Sequence, residues 1–503
     1  MVTTYKLLRE RVLNIFALDL RALSLLRIGV ALLIWADLII RFSDLKAHYS
    51  DEGVLPLQVL FSNAWNGGWV SLHTMSGLWQ VQALLFVVAG FFAICLLVGY
   101  QVRISTFASW FLLMSLQNRN PMLNQGGDDL LRMTLFWGMF LPWGSYFSLR
   151  SLRHPEQKLR QTKYIGWAGA AYLIQIASVY FFSALLKDSA EWTQEGTAIY
   201  YALSLDQMVL PLGKLLYPHA EWLRFLTFGV YYLECFVPLL FFIPFYTSFF
   251  RVLAICLLCI LNLGIGLTLF VGLFFVIGMV TLLGLIPSSG MDRWYGYTNI
   301  FKELAMDAFE AVEIFFLKHV HIKFVFRFPL LVRNAYYRSI RNAFVAFLLF
   351  YVLMSNCGTV QRIGYGPDSH LRWIGTLLRI DQNWGMFAPT VFKDDGWFVL
   401  EAKKMNGGWI DINQKGKPLQ YAKPEKIVSL FKNDRWRKYS ENILFISNSY
   451  LRPYYCHYAL QKWNLQHPEQ MLTQLKVVYM KEVSLPNYQY SPPTHEVLCE
   501  CSN

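Results

Sequence analysis

Long apolar runs recur along this chain, and they constrain its fold more than any other feature. They lie at about 22–41, 80–99, 102–118, 129–148, 165–186, 222–245, 249–264, 267–286 and 340–357, each judged against the ~20 residues a helix needs to cross hydrocarbon. The pattern predicts an all-α polytopic membrane bundle of about nine transmembrane helices. The seventh and eighth runs are short. They are separated by Asn262-Leu-Gly264-Ile-Gly266, which reads as a tight turn or a re-entrant pair. Of 503 residues 55% are hydrophobic and 16% charged, against about 25% charged in soluble proteins. A soluble enzyme with one anchor is excluded. Three segments follow: an N-terminal cytoplasmic amphipathic stretch (1–21), the bundle (22–357) and a small α+β domain (358–503).

The net charge of +12 does not point to nucleic acid, because no basic stripe interleaved with aromatics runs along a soluble face. The bases gather in alternate connections: the N-terminus, Arg103, the stretch Arg150 to Lys163, Arg251, and the segment 287–339. The opposite loops hold Asp44, Asp51, Glu52, Asp128, Asp129, Asp188, Glu191, Glu195 and Asp206, with Lys46, Arg119 and Lys214 among them. The positive-inside rule places the N-terminus in the cytoplasm and the C-terminus outside. No cleavable signal peptide is expected. Residues 1–16 suit an amphipathic helix on the cytoplasmic face, or a short solvated helix. Residues 300–325 read as an interfacial helix.

From 358 on, turn residues punctuate short strands. Trp397-Phe-Val-Leu-Glu-Ala-Lys and Trp409-Ile-Asp-Ile flank Asn406-Gly407-Gly408, a strong hairpin signal. A helix at about 423–438 and a strand from Leu475 to Val483 complete an α+β domain. Cys256 and Cys259 form a C-x-x-C inside an apolar run and read as helical-core cysteines. Whether Cys456 pairs with Cys499 or Cys501 is left open. No Walker loop, no G-x-S-x-G and no metal-ligand spacing is present, and no metal is expected.

Polar groups converge on the outer side. Asp128, Asp129 and Arg132 lie at a span edge, where charges usually face the bundle interior and pair. These carboxylates are expected to pair with Arg132 or Lys187, in a site or in a purely structural network. Arg27 and Asp37 lie roughly 15 Å apart along one helix and cannot meet. Arg27 sits where it can snorkel, whereas Asp37 is short and needs a partner. Lys187 ends an apolar run in Tyr180-Phe-Phe-Ser-Ala-Leu-Leu-Lys187-Asp-Ser-Ala-Glu191-Trp192. It is either a headgroup-seeking lysine or a desolvated base.

The stretches Leu25-Leu26-Arg27-Ile28-Gly29, Tyr49 to Pro56, Asn124-Gln-Gly-Gly-Asp128-Asp129-Leu-Leu-Arg132, Tyr180 to Trp192, Trp384-Gly-Met-Phe387-Ala-Pro389 and Gly396-Trp397 together resemble the HTTM family. These are bacterial membrane proteins related to the vitamin K-dependent gamma-carboxylase. The carboxylase carries Lys-Lys-Leu-Asp-Ala-Asp-Trp at the corresponding point, and its second lysine deprotonates the vitamin K hydroquinone. Lys187 matches that lysine, with Ala190 and Glu191 in the Ala-Asp places and Leu186 for the first lysine. The resemblance implies a bacterial inner-membrane protein using reduced vitamin K or another quinone, with Lys187, Asp128 and Asp129 as catalytic candidates. Asn124, Arg132, Glu191, Trp192 and Asp37 are the substrate-binding candidates. Two departures bear on the chemistry. The carboxylase's histidine has no counterpart among Asn124–Asp129, and the tail is much shorter. The lysine carries over; glutamate carboxylation, a lyase reaction, does not follow.

Two readings are carried forward. In one, a reduced quinone and the lysine base modify or oxidise a secreted protein or peptide at the outer face, by carboxylase-like or quinol epoxidase-like chemistry. In the other, the chain is a non-catalytic maturation or export factor, whose tail aromatics Trp384, Phe387, Trp397 and Trp409 grip a secreted partner. A transporter ranks last, since no inverted repeat is visible.

Overall fold

The computed structural model describes residues 10–149, 151, 162–297 and 335–503. Among them, six helices are long and apolar enough to cross a membrane, or seven if one bent pair counts as a broken span. The helices are α1 (Leu20–Phe42), α2 (Trp79–Val98), α3 (Val102–Arg119), α4 (Gly126–Gly138), α5 (Trp167–Leu186) and α6 (Ala220–Phe236, prolonged to Phe242 by a 3-10 turn). Then come α7 (Thr247–Thr268), α8 (Phe274–Leu283), α9 (Ser288–Tyr297) and α10 (Ala335–Thr359). Asp19 caps α1 by accepting from the backbone N–H of Arg21 at 2.8 Å, one of the donors a helix start leaves unpaired. Gly99 closes α2 at φ +71°, where a Cβ would lie 2.4 Å from Ser148 Cβ.

The expectation of nine spans is met in part. α3 occupies the expected place but buries Ser105, Thr106, Ser109, Ser115, Gln117, Asn118 and Arg119, so its inner face is polar. The run at 129–148 does not form one helix. α4 stops at Gly138 after 13 residues, about 20 Å, and Pro142 then prevents continuation. Between the seventh and eighth runs the turn falls later than expected. α7 passes unbroken through Gly264 and Gly266, and only Gly266 is held by close packing. A Cβ on Gly266 would sit 2.3 Å from the Phe275 ring. The chain turns at 269–273 instead, with Gly272 at φ +58°. α8 and α9 then meet at 96° across the break that holds Pro287.

Arg27 does not snorkel. It is fully buried, with Nε donating to Trp143 O at 3.1 Å and Nη1 to Leu97 O at 2.8 Å, and it also reaches the carbonyls of Leu96 and Phe147. Cys256 is exposed on the outside of α7 rather than in the helical core. The expected interfacial helix at 300–325 and residues 1–9 of the N-terminal amphipathic stretch lie outside the described residues.

The tail carries a five-stranded antiparallel sheet in the order β3-β2-β1-β4-β5, from β1 (Asp394–Lys404), β2 (Trp409–Asp411), β3 (Lys417–Pro418), β4 (Leu472–Val483) and β5 (Thr494–Ser502). The Asn406-Gly407 hairpin forms where expected. The helix expected at 423–438 is instead α11 (Asp434–Leu444), started by Asn433, whose Oδ1 accepts from Trp436 N at 3.1 Å. α12 (Arg452–Gln466) follows. Cys456 bonds Cys501 and ties α12 to β5.

The tail sits on one end of the bundle. Lys432 pairs with Asp44 at 2.8 Å, Tyr439 Oη donates to Val54 O at 3.2 Å, and Asn442 Nδ2 donates to Met122 O at 2.8 Å. These partners lie in the loops that the charge pattern groups on one side.

Candidate functional site

A cavity of about 940 Å³ lies between the bundle and the tail, with apolar side chains of α5, α6, α7 and the 192–216 segment in its walls. That is the upper part of the range for small-molecule sites. Lys187 opens into it, 4% exposed, directly after the last residue of α5. Its Nζ donates to Ser183 Oγ at 3.0 Å and forms an ion pair with Glu234 of α6. Ser183 Oγ also donates to Glu234 Oε2 at 3.3 Å. Ser183 and Lys187 are four residues apart and share a helix face. The Trp192 ring lies 4.8 Å from the ammonium, and its Nε1 donates to Phe387 O at 2.9 Å. Tyr180 Oη accepts from Asn262 Nδ2 of α7 at 2.9 Å, and both line the cavity. Gln125 and Gly126 supply another part of the wall, and Gly385, Met386 and Phe387 of the tail another. Three stretches far apart in sequence therefore meet here. The tail-side rim is charged, with Asp394, Arg437, Lys438, Glu441, Lys481 and Glu496.

The other candidates lie elsewhere. Asp37 and Asp128 share a buried network with Arg41 and with Arg435 of α11. Arg41 Nε donates to Asp37 Oδ2 at 2.7 Å and Nη2 to Asp128 Oδ1 at 2.5 Å. Arg435 donates to Asp37 Oδ1 at 2.7 Å and to Asp128 Oδ2 at 2.5 Å. Asp128 does not pair with Arg132 or Lys187. Its Oδ2 also accepts from Gln125 N at 2.9 Å and so caps α4. Asp129 does pair with Arg132, at 2.8 Å, and Arg132 further donates to Arg379 O at 2.7 Å. Asn124 donates to Gln117 O at 3.0 Å beside the cavity wall. Glu191 accepts from Val391 N at 3.0 Å and pairs with Lys393 at 2.8 Å, which holds the tail against the 187–195 loop.

Two important residues were not singled out in the sequence. Glu234 is an acid inside an apolar run, the signal that marks intramembrane function. Arg435 carries no local signal, since its partners are hundreds of residues away. The tail aromatics do not form an exposed grip: Trp384 and Trp397 are buried, Phe387 is in the cavity wall, and Trp409 is the most exposed of the four.

A third charged cluster joins the tail to the bundle. Carboxylate oxygens of Asp206, Asp395 and Glu482 lie within 4.8 Å of one another, and Lys423 reaches both Asp206, at 2.8 Å, and Glu482. Asp395 Oδ2 accepts from Asp206 N at 2.7 Å, while Oδ1 has no hydrogen-bond partner among the described residues. Burial pushes the Asp395 carboxyl up to about 7, helped by the neighbouring Asp206 charge.

Comparison with protein-family models, with curated proteins and with solved structures finds no match for this chain.

Proposed function

We propose that this chain is a bacterial inner-membrane protein that uses a reduced quinone to modify or oxidise a secreted protein or peptide at the outer face. The observation that carries this reading is the Lys187–Ser183–Glu234 cluster at one wall of a large apolar cavity. A flat apolar ring with a hydroxyl group fits such a lining. Lys187, Ser183, Trp192, Tyr180 and Asn262 are the residues that would hold it. A bound reduced quinone supplies an ionisable hydroxyl and two electrons for oxygen. Lys187 Nζ would be placed to take the hydroxyl proton, with Glu234 beside it to receive the proton the ammonium gives up and Ser183 Oγ bonded to both. The charged rim of the tail, with Arg437, Lys438 and Glu441, is where the polypeptide substrate would be presented.

The topology proposed with this function has nine crossings. It counts α3 and α4 as a polar-lined pair beside the seven apolar spans. Adding a pair leaves the parity unchanged, so the N-terminus lies in the cytoplasm and the tail outside.

The test is oxygen uptake by the detergent-purified chain given a reduced naphthoquinone, beside Lys187→Ala. Uptake that depends on the lysine is expected. Equal rates in the two proteins would overturn the reading and leave a non-catalytic maturation factor, with the charged rim as its contact surface.

A further inference from the structure

The cavity does not end at the bundle interior. Phe225, Leu226 and Ile260 line it and are also exposed, at 68%, 37% and 65%. A side chain can do both only where the cavity reaches the surface of the bundle. That place lies between α6 and α7, which carry the faces expected to meet hydrocarbon. Only 28% of each span's apolar window is buried, against 72% for α5. Gly229 of α6 and Gly264 of α7 line the same cavity, and a Cβ built on either would touch nothing within 4 Å. Neither glycine has the positive φ that would call for one. Their lack of a side chain leaves space, and nothing else in the backbone requires it.

On the quinol reading above, we propose that this gap is a lateral doorway. The ligand is then a long-chain amphiphile drawn from the bilayer, with its polar ring at Lys187 and Glu234 and its apolar chain leaving between α6 and α7 past Gly229 and Gly264. The alternative exit, through the tail-side rim, would lay hydrocarbon against Arg437, Lys438 and Glu441 and strip water from those charges. The side exit puts the chain against Phe225, Leu226 and Ile260, and then against lipid, with no charged group to desolvate.

The test uses the full chain in phosphatidylethanolamine–phosphatidylglycerol vesicles and a naphthoquinol whose isoprenoid chain ends in a photoreactive diazirine. Labelled peptides are mapped with and without Gly229→Trp and Gly264→Trp. Labelling should fall on 225–233 and 260–268 and drop about tenfold in the double variant, since excluding even two methylenes has that effect on affinity. Labelling on the rim, or equal labelling in the intact protein and the double variant, would overturn the doorway. The measurement on the unaltered protein needs no variant to fold. The two readings also fail separately. Chain labelling at α6 and α7 beside lysine-independent oxygen uptake would keep the doorway and remove the quinol chemistry. Lysine-dependent uptake with labelling at the rim would do the reverse.

Discussion

The molecule holds two buried charge clusters of opposite design. In the first, two carboxylates (Asp37, Asp128) meet two guanidinium groups (Arg41, Arg435), and each carboxylate is bonded to both arginines. None of the four lines the large cavity. In the second, one lysine meets one glutamate and one hydroxyl, and all three face open space. The first is saturated: Arg41 divides its nitrogens among Asp37, Asp128 and Tyr49, and Arg435 holds Asp128 with both Nη groups. The second keeps a compact ammonium at a cavity wall where a ligand can reach it. Burial and charge alone do not distinguish a staple from a site. Whether the hydrogen-bonding capacity is already used up, and whether a cavity adjoins, does.

The largest expected effect tests the open cluster. Glu234→Gln should lower the rate of quinol-dependent oxygen uptake by about 10²- to 10⁴-fold, the usual contribution of a positioned proton acceptor. A loss as large in Arg435→Ala, without unfolding, would break the comparison. The closed cluster should instead answer in stability. Arg435→Ala leaves two buried carboxylates short of a partner and should cost about 3–5 kcal/mol, read as a lower melting temperature and faster proteolysis of the tail. An unchanged melting curve would show that the network is no staple.

The third cluster sharpens the rule, because its three acids outnumber Lys423. The folded Asp395 carboxyl, raised by burial to about 7, holds a proton that the unfolded chain has already lost. Stability should therefore fall as pH rises from about 4 to about 7, by on the order of 4 kcal/mol. Asp395→Asn should flatten that dependence; a variant profile as steep as the parent's would sink the idea. The smallest effect concerns the tail alone. Cys456→Ser should cost about 2–4 kcal/mol. Non-reducing mass spectrometry should find Cys456 joined to Cys501, and a Cys456–Cys499 peptide would contradict the structure.

Much of the frame was legible in the sequence because it rests on local patterns. Apolar runs marked α1, α2, α5 and α10 to within a few residues, and Asn406-Gly407 marked the tail hairpin. Lys187 was legible from its place at a span edge. What was hidden depends on distance or on competing local chemistry. Pro142 ended a run that hydropathy alone extends to 148, and the capping Asn433 moved the start of the tail helix from about 423 to 434. The pairing of Asp37 with Arg435 spans 398 residues, and no window along the chain reveals it. Asp128 and Asp129, adjacent in sequence, entered different networks because consecutive helical positions point about 100° apart.

Arg435 also sets an order of assembly. Chains emerge from the ribosome N-terminus first, so Asp37, Arg41 and Asp128 are in place long before their fourth partner is made. Until α11 arrives, two carboxylates share one arginine, and the cavity lacks the wall formed by Leu444, Phe445 and Tyr479. A truncated or stalled chain would therefore have its lysine and glutamate but no enclosed chamber around them. The cavity closes only once the tail has docked, because tail residues form one of its walls.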